Sequence, residues 1–226
     1  MDAALFDFED ARNRMVDSQI RPNKVIDPRI LRAMRELPRE RFLPARLRSL
    51  AYADEDVPLG NGRALMEPMV LARLIQMAAP VAGERALVVG AGTGYGAAVL
   101  AACGANVTAL EEDETLLGLA RQVLPEVAPA GAPAITIVEG KLASGWPQGA
   151  PWDIILIEGA VRDIPAALGP QLHPVGGRLV TVRIGHGSSG KAVIAEPTPA
   201  GLRAQPVFDC ATPLIPSLLP EPGFVF

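Results

Sequence analysis

Residues 87–98, Leu-Val-Val-Gly-Ala-Gly-Thr-Gly-Tyr-Gly-Ala-Ala, place a glycine at every second position directly after a short apolar run. The apolar run is typical of a buried strand, and the alanine-rich continuation predicts a helix over residues 95–103. Glycine permits the tight backbone turn that joins a strand to a helix, and it lets another group approach the backbone closely. The stretch therefore predicts a strand–turn–helix unit, the building block of α/β folds.

From residue 85 onward, the chain alternates between apolar runs typical of strands and segments typical of helices. Helices are predicted at residues 95–103, 113–124 and 163–172. Strands are predicted at residues 86–89, 106–110, 135–138 and 153–157, after the turn at 174–177, and at 191–195 and 206–210. This order predicts a doubly wound, Rossmann-like α/β fold, with a mixed, mostly parallel sheet and helices on both faces.

Residues 1–80 are predicted to form an N-terminal helical extension that packs on a Rossmann-like unit of residues 81–226. Asp27-Pro28 is a typical helix start, because aspartate caps free amides and proline fits the first helical position. Another amphipathic helix is expected from Pro68, and residues 60–62 are expected to form a loop. We expect the two parts to form one compact unit.

Composition argues against several classes of partner. The net charge is −4, with 21 Lys and Arg against 25 Asp and Glu, so no basic excess favours nucleic acid. The two cysteines and two histidines show no spacing typical of a metal site or a disulfide framework. No apolar run is long enough for a membrane helix, and the acidic first ten residues are unlike a signal peptide. We expect a cytoplasmic protein, favour a monomer, and expect no metal, nucleic-acid or membrane partner.

The glycine turn and an acidic residue together predict a ligand. A helix that starts directly after a strand presents free N–H groups and a positive dipole end, and Gly90, Gly92 and Gly94 allow a close approach. Glu111 ends the next predicted strand, 21 residues after Gly90, where a carboxylate can accept hydrogen bonds from ribose hydroxyls. An adenosine-type ligand is therefore expected at the carboxyl ends of the strands.

Two ligand classes fit this turn. Gly92-x-Gly94-x-x-Ala97 fits a dinucleotide fingerprint, whereas Gly90-x-Gly92-x-Gly94 fits methyltransferases that use S-adenosylmethionine (SAM). Dinucleotide domains commonly open with the fingerprint, but here a long helical segment comes first. The turn at residues 174–177 before a late strand also resembles methyltransferases, so the order of segments favours SAM.

Over nearly its whole length, the chain resembles the protein-L-isoaspartate O-methyltransferase family. The similar segments are residues 15–44, 50–68, 90–101 and 145–180. The resemblance implies SAM as the cofactor and, as methyl acceptor, the carboxylate of an L-isoaspartyl residue in a damaged protein. Such a carboxylate is already ionised at neutral pH, so neither a general base nor a metal is needed. Catalysis is then expected to rest on positioning and on removing water from the reactants.

The resemblance also implies which residues form the site. The implied cofactor contacts are Gly90, Ala91, Gly92, Gly94, Glu111, Glu112, Gly140, Lys141 and Glu158. The family's substrate loop aligns with residues 64–68, where Met66 replaces the family's serine and is followed by Glu67 and Pro68. Methionine cannot donate a hydrogen bond to a carboxylate, so the catalytic residue stays unassigned.

Other positions also depart from the family. Val88 stands where the family has an acid that contacts the methionine end of SAM, Lys141 replaces an aspartate, and Glu158 replaces a threonine. Lys141 and Glu158 are predicted to pair across neighbouring strand ends. The expected function is SAM-dependent carboxyl methylation of isoaspartyl residues. The alternatives are a SAM-binding methyltransferase with another acceptor and a non-catalytic binding descendant.

Overall fold

The computed structural model describes residues 7–127, 131–185 and 189–219. Within these ranges, no helix has both the length and the apolar character needed to span a membrane. The predicted α/β architecture is confirmed, with a seven-stranded mixed sheet at its centre and a small separate hairpin at one edge.

The N-terminal extension is helical, as predicted. Helix α1 spans Phe8–Met15 and continues through a π-helical turn at Val16–Ile20 and a 3₁₀ turn at Arg21–Asn23. Helix α2 spans Pro28–Glu36 and begins as expected, because Asp27 accepts a hydrogen bond from the Arg29 amide at 2.9 Å. Two 3₁₀ turns follow at Arg39–Phe42 and Ala45–Leu50, and helix α3 spans Pro68–Ala78.

A β-hairpin lies where the sequence predicted helix and loop. Strand β1 spans Val57–Gly60 and pairs antiparallel with β2, Arg63–Leu65. Asn61 and Gly62 form the turn with positive φ values of 51° and 71°. Asn-Gly favours such hairpin turns because both residues tolerate positive φ, so this dipeptide carried a hairpin signal that the helical prediction up to residue 60 missed.

The main sheet has the strand order β5-β4-β3-β6-β7-β8-β9. The strands are β3 Arg85–Val89, β4 Asn106–Glu111, β5 Thr136–Glu139, β6 Ile154–Val161, β7 Arg178–Ile184, β8 Gly190–Thr198 and β9 Gly201–Cys210. Strands β3 to β7 pair in parallel, whereas β8 and β9 add antiparallel partners. Helix α4, Tyr95–Ala102, follows β3, and helix α5, Glu114–Val127, follows β4.

The two faces of the sheet are covered differently. Side chains such as Val88 pack into a large core shared with the five α-helices, whereas alternate side chains such as Leu87 face a smaller core. That second core is covered by 3₁₀ turns at Leu142–Ser144, Ala166–Gln171 and Pro216–Leu218. The prediction of a helix over 163–172 was wrong in type, because Pro165 and Pro170 cannot donate the backbone hydrogen bonds that an α-helix needs.

Strand β6 carries an irregularity that brings the C-terminal segment over the carboxyl edge of the sheet. Its register against β7 shifts between Leu156 and Ala160, a β-bulge of the kind that often re-aims side chains beside functional sites. Ala160 then donates to the Pro213 carbonyl and accepts from the Ile215 amide, each at 2.9 Å. Residues 212–218 therefore run across the sheet edge where the predicted ligand site lies.

Candidate functional site

The glycine turn has the predicted geometry. Gly90, Gly92 and Gly94 have φ values of 70°, 57° and 94°, the left-handed region that favours glycine. The amides of Gly90 and Ala91 both donate to the Leu110 carbonyl at 3.0 Å, which ties the turn to β4. Gly94 is the N-cap of α4, so the turn joins strand to helix at the carboxyl edge of the sheet.

Glu111 lies directly beside this turn, as the sequence predicted. Its side chain is 1% exposed, and its carboxylate accepts hydrogen bonds from the backbone amides of Gly92, Glu112 and Asp113 at 2.7, 2.9 and 3.1 Å. These amides hold the carboxylate in one orientation beside the turn.

The same carboxylate is also paired with Arg63 of β2. The guanidinium donates from Nη1 to Oε1 at 2.8 Å and from Nη2 to Oε2 at 3.0 Å, and Nη2 also donates to the Gly90 carbonyl at 2.9 Å. The Arg63 side chain is only 7% exposed. With three amides and a bidentate arginine, Glu111 has no acceptor position left for another donor. Sequence reasoning missed Arg63, which lies 48 residues from Glu111 and belongs to no recognisable motif.

The C-terminal segment fills the space next to this ion pair. Ile215 Cδ1 lies 3.1 Å from the position that a Cβ on Gly90 would take, and Ile215 also packs against Gly159. The gap that remains between the β1–β2 hairpin, β6 and this segment is a cavity of about 10 Å³, lined in part by Arg63, Glu158 and Ile215. Such a cavity holds at most one water molecule.

An adenosine-type ligand therefore does not fit the crevice in this conformation. Small-molecule sites have volumes of roughly 300–1,000 Å³, far above that of the gap beside Arg63 and Ile215. The ribose hydroxyls would also need the two carboxylate oxygens that Arg63 occupies. Binding at this place requires both Arg63 and Ile215 to move.

The other predicted cofactor contacts are arranged around this closed crevice. Gly140 donates to the Glu111 carbonyl at 3.1 Å, and Glu112 Oε2 accepts from the Leu142 amide at 3.3 Å. The predicted Lys141–Glu158 ion pair is wrong. Lys141 is exposed, whereas the Glu158 carboxylate is buried, lies against Gly96 of α4, and has no partner for Oε2 among the described residues. Glu158 lies within the register shift of β6, and its carboxylate faces Gly96 of α4.

Glu158 and Arg39 form the charged interior between β6 and the N-terminal extension. Burial raises the pKa of Glu158 to about 8, although nearby Arg39 and Arg63 lower it. Arg39 is fully buried, lies 4.8 Å from the ring centroid of Tyr95, and donates to the carbonyls of Ala51 and Met66 at 2.7 and 2.6 Å. Arg39 therefore fixes the backbone of the predicted substrate loop from inside the protein.

The substrate loop presents backbone and Glu67 rather than a hydroxyl. Met66 is 1% exposed and packs in the large core. Burial, followed by the charges of Asp54 and Asp56, raises the pKa of half-buried Glu67 to about 7. Asp56 Oδ1 accepts from the Glu67 amide at 2.9 Å and from the Thr212 hydroxyl at 2.8 Å. One carboxylate therefore joins the loop to the C-terminal segment.

Three comparisons relate this arrangement to known proteins. The family model for protein-L-isoaspartate(D-aspartate) O-methyltransferase (PCMT) matches residues 10–196. Protein-L-isoaspartate O-methyltransferase 1 of Rhodopseudomonas palustris (strain HaA2) is 41% identical over 173 residues, which are 76% of this chain and 69% of the relative.

Two solved structures share the fold. One is a protein-L-isoaspartate O-methyltransferase with a TM-score of 0.74 and 21% identity, covering 93% of this chain and 67% of that one. The other is a Plasmodium falciparum protein assigned to the same family and solved with S-adenosyl-L-homocysteine. Its TM-score is 0.72 at 17% identity, covering 89% of this chain and 96% of that one.

Proposed function

The chain belongs to the protein-L-isoaspartate O-methyltransferase family, and we propose that it transfers a methyl group from SAM to the carboxylate of an isoaspartyl residue in a protein. The observation that carries this proposal is the position of Glu111, an acid held by three backbone amides beside the glycine turn at the carboxyl edge of the sheet. The S-adenosyl-L-homocysteine in the P. falciparum structure supports SAM as the cofactor class.

We propose that Gly90, Gly92, Gly94 and Glu111 contact the cofactor once the crevice is open, and that the loop ending at Pro68 faces the acceptor. The reaction requires no general base, because a free carboxylate is ionised near pH 7. The protein would align the acceptor carboxylate with the cofactor and exclude water from the two reactants. Arg39 would serve this alignment by holding the Met66 carbonyl.

A methyl-transfer assay tests the proposal. The purified chain is incubated with SAM and an isoaspartyl peptide, and methyl ester formation is measured by mass spectrometry. The matched control is the same peptide with ordinary aspartate, whose free carboxylate is attached to Cβ rather than to Cα. Methylation of the isoaspartyl peptide alone is the expected result, and equal or absent methylation of both peptides contradicts the proposal.

A second candidate is a SAM-dependent methyltransferase with a different acceptor. It is favoured by the loop itself, where Met66 points into the core and Glu67 brings a titratable acid toward the acceptor side. An anionic acceptor would meet repulsion from ionised Glu67. Methylation of proteins in a mixture, without methylation of the isoaspartyl peptide, would favour this second candidate.

We further propose that residues 1–80 and 81–226 work as one unit in a cytoplasmic monomer. Support for one unit comes from the large core, which includes Ile30 and Met34 of the extension together with Val88 of the sheet. The balanced net charge of −4 supports a partner other than nucleic acid.

A further inference from the structure

We infer that Arg63 and Ile215 form a latch that keeps the cofactor crevice closed in the resting protein, and that the cofactor binds only after this latch opens. The inference rests on the proposed function, because it assigns SAM to the crevice beside Glu111. It goes beyond that function by making Arg63 an internal competitor for the acid that binds the cofactor's sugar.

The first part of the latch is electrostatic. The Arg63 guanidinium donates hydrogen bonds to both carboxylate oxygens of Glu111 and to the Gly90 carbonyl. Both side chains are almost inaccessible to solvent. A ribose diol needs the same two oxygens, so cofactor and arginine exclude each other. Charged hydrogen bonds of this bidentate kind are among the strongest in proteins, and removing one partner leaves a buried charge without compensation. The arginine is therefore an effective competitor.

The second part is steric. Ile215 occupies the floor of the crevice against Gly90 and Gly159, and these two glycines have no side chains that would keep it out. Only a cavity of about 10 Å³ is left beside it. A cofactor cannot enter by displacing water alone, because the space is filled by protein atoms.

The two parts are joined, so they are expected to open together. Pro216 packs against Gly62 in the turn of the β1–β2 hairpin, and Thr212 donates to Asp56, just before β1. The hairpin forms a sheet of its own and shares no strand pairing with the seven-stranded sheet. Opening the latch therefore breaks no strand pairing within the main sheet, and it requires Arg63 to leave Glu111 and Ile215 to leave Ala160.

This latch has a measurable consequence for affinity. When only a fraction of molecules is open, the apparent affinity for a ligand of the open state equals the intrinsic affinity multiplied by that fraction. Weakening the latch should raise the open fraction and hence the affinity, while the contacts from the glycine turn and Glu111 remain unchanged.

Calorimetric titration with S-adenosyl-L-homocysteine tests the inference without requiring turnover. Arg63→Ala should bind at least tenfold more tightly than the wild type, because the sugar no longer has to displace a guanidinium from Glu111. Ile215→Ala should also gain affinity and serves as the second variant if Arg63→Ala fails to fold. The matched control is Arg178→Ala, which removes a bidentate pair with Glu84 at the opposite edge of the sheet and should leave the affinity unchanged.

The outcomes separate the latch from the proposed function. Equal affinity of the wild type and the folded latch variants would overturn the latch while leaving the SAM assignment intact. Absence of binding to the wild type and to both folded latch variants would overturn the latch and the SAM assignment together. A gain in the latch variants that Arg178→Ala also shows would overturn the latch, because the gain would then come from general loosening.

Hydrogen–deuterium exchange gives an independent readout. At saturating S-adenosyl-L-homocysteine, the amides of Ala160 and Ile215 should exchange faster than in the free protein, because their hydrogen bonds to the carbonyls of Pro213 and Ala160, respectively, break on opening. The amides of β7 and β8 should remain protected. Unchanged or slower exchange at Ala160 and Ile215 in the bound protein would contradict the inference.

Discussion

The carboxylate of Glu158 occupies the space that a side chain on Gly96 would need. A Cβ built at position 96 would overlap Glu158 Oε2, although residue 96 lies in the first turn of α4, where alanine is normally preferred to glycine. Any side chain at position 96 would therefore require the Glu158 carboxylate to move.

Replacing Gly96 by alanine should destabilise the protein, although helix propensity alone would favour alanine. Gly96→Ala is expected to lower the free energy of unfolding by about 1–3 kcal/mol, as overpacking of a core does. Gly118→Ala in α5 is the matched control, because nothing lies within 4 Å of its Cβ position, and it should stabilise by about 0.5–1 kcal/mol. Urea unfolding of both variants measures the difference. Adding Glu158→Ala to Gly96→Ala should restore much of the loss, and no recovery would contradict the proposed overlap.

The free energy of unfolding should decrease as pH rises from about 5 to about 8.5. Burial raises the pKa of Glu158 to about 8 and that of Glu67 to about 7, from ordinary values near 4.5. In this window the folded protein holds more protons than the unfolded chain, so the stability present at low pH is lost as these acids ionise. Glu158→Gln cannot ionise and should therefore flatten the slope. Urea unfolding at several pH values measures it, and a Glu158→Gln slope equal to that of the wild type would disprove the assignment.

Restoring a hydroxyl at position 66 should damage the protein rather than activate it. Met66 is buried in the core, so Met66→Ser should cost about 2–5 kcal/mol of stability, in the range of large-to-small core substitutions. Methyl transfer to an isoaspartyl peptide should not increase. Met69→Ser in α3 is the matched control at a partly buried position and should cost less. Thermal unfolding and the methylation assay read the two effects, and a rise in activity of Met66→Ser would show that the loop side chain reaches the acceptor.

The sequence predicted those parts of the molecule that depend on local patterns. The strand–turn–helix around residues 90–94 and the parallel sheet follow from short apolar runs and glycine spacing. The match to the family model, at residues 10–196, includes both features. The α-helix predicted over 163–172 does not form, because Pro165 and Pro170 interrupt its backbone hydrogen bonds. The hairpin at residues 57–65 was missed although Asn61-Gly62 is a turn signal.

The closed state of the site could not be predicted in this way. The pair between Arg63 and Glu111 joins residues 48 positions apart, and Ile215 reaches Gly90 from the other end of the chain. No local pattern encodes such contacts, because they depend on how separate segments pack over the sheet edge. The sequence predicted that Glu111 lies at the end of a strand, whereas its partner Arg63 was identified only from the structure.

The carboxylate of Asp56 joins the substrate loop to the C-terminal segment through a single atom. Oδ1 alone receives both the Glu67 amide and the Thr212 hydroxyl. Two separate acceptors could lose these donors independently. Because one oxygen serves both donors, replacing Asp56 would remove both contacts at once, leaving Arg39 to hold the loop at Met66 and Ala160 to hold the C-terminal segment.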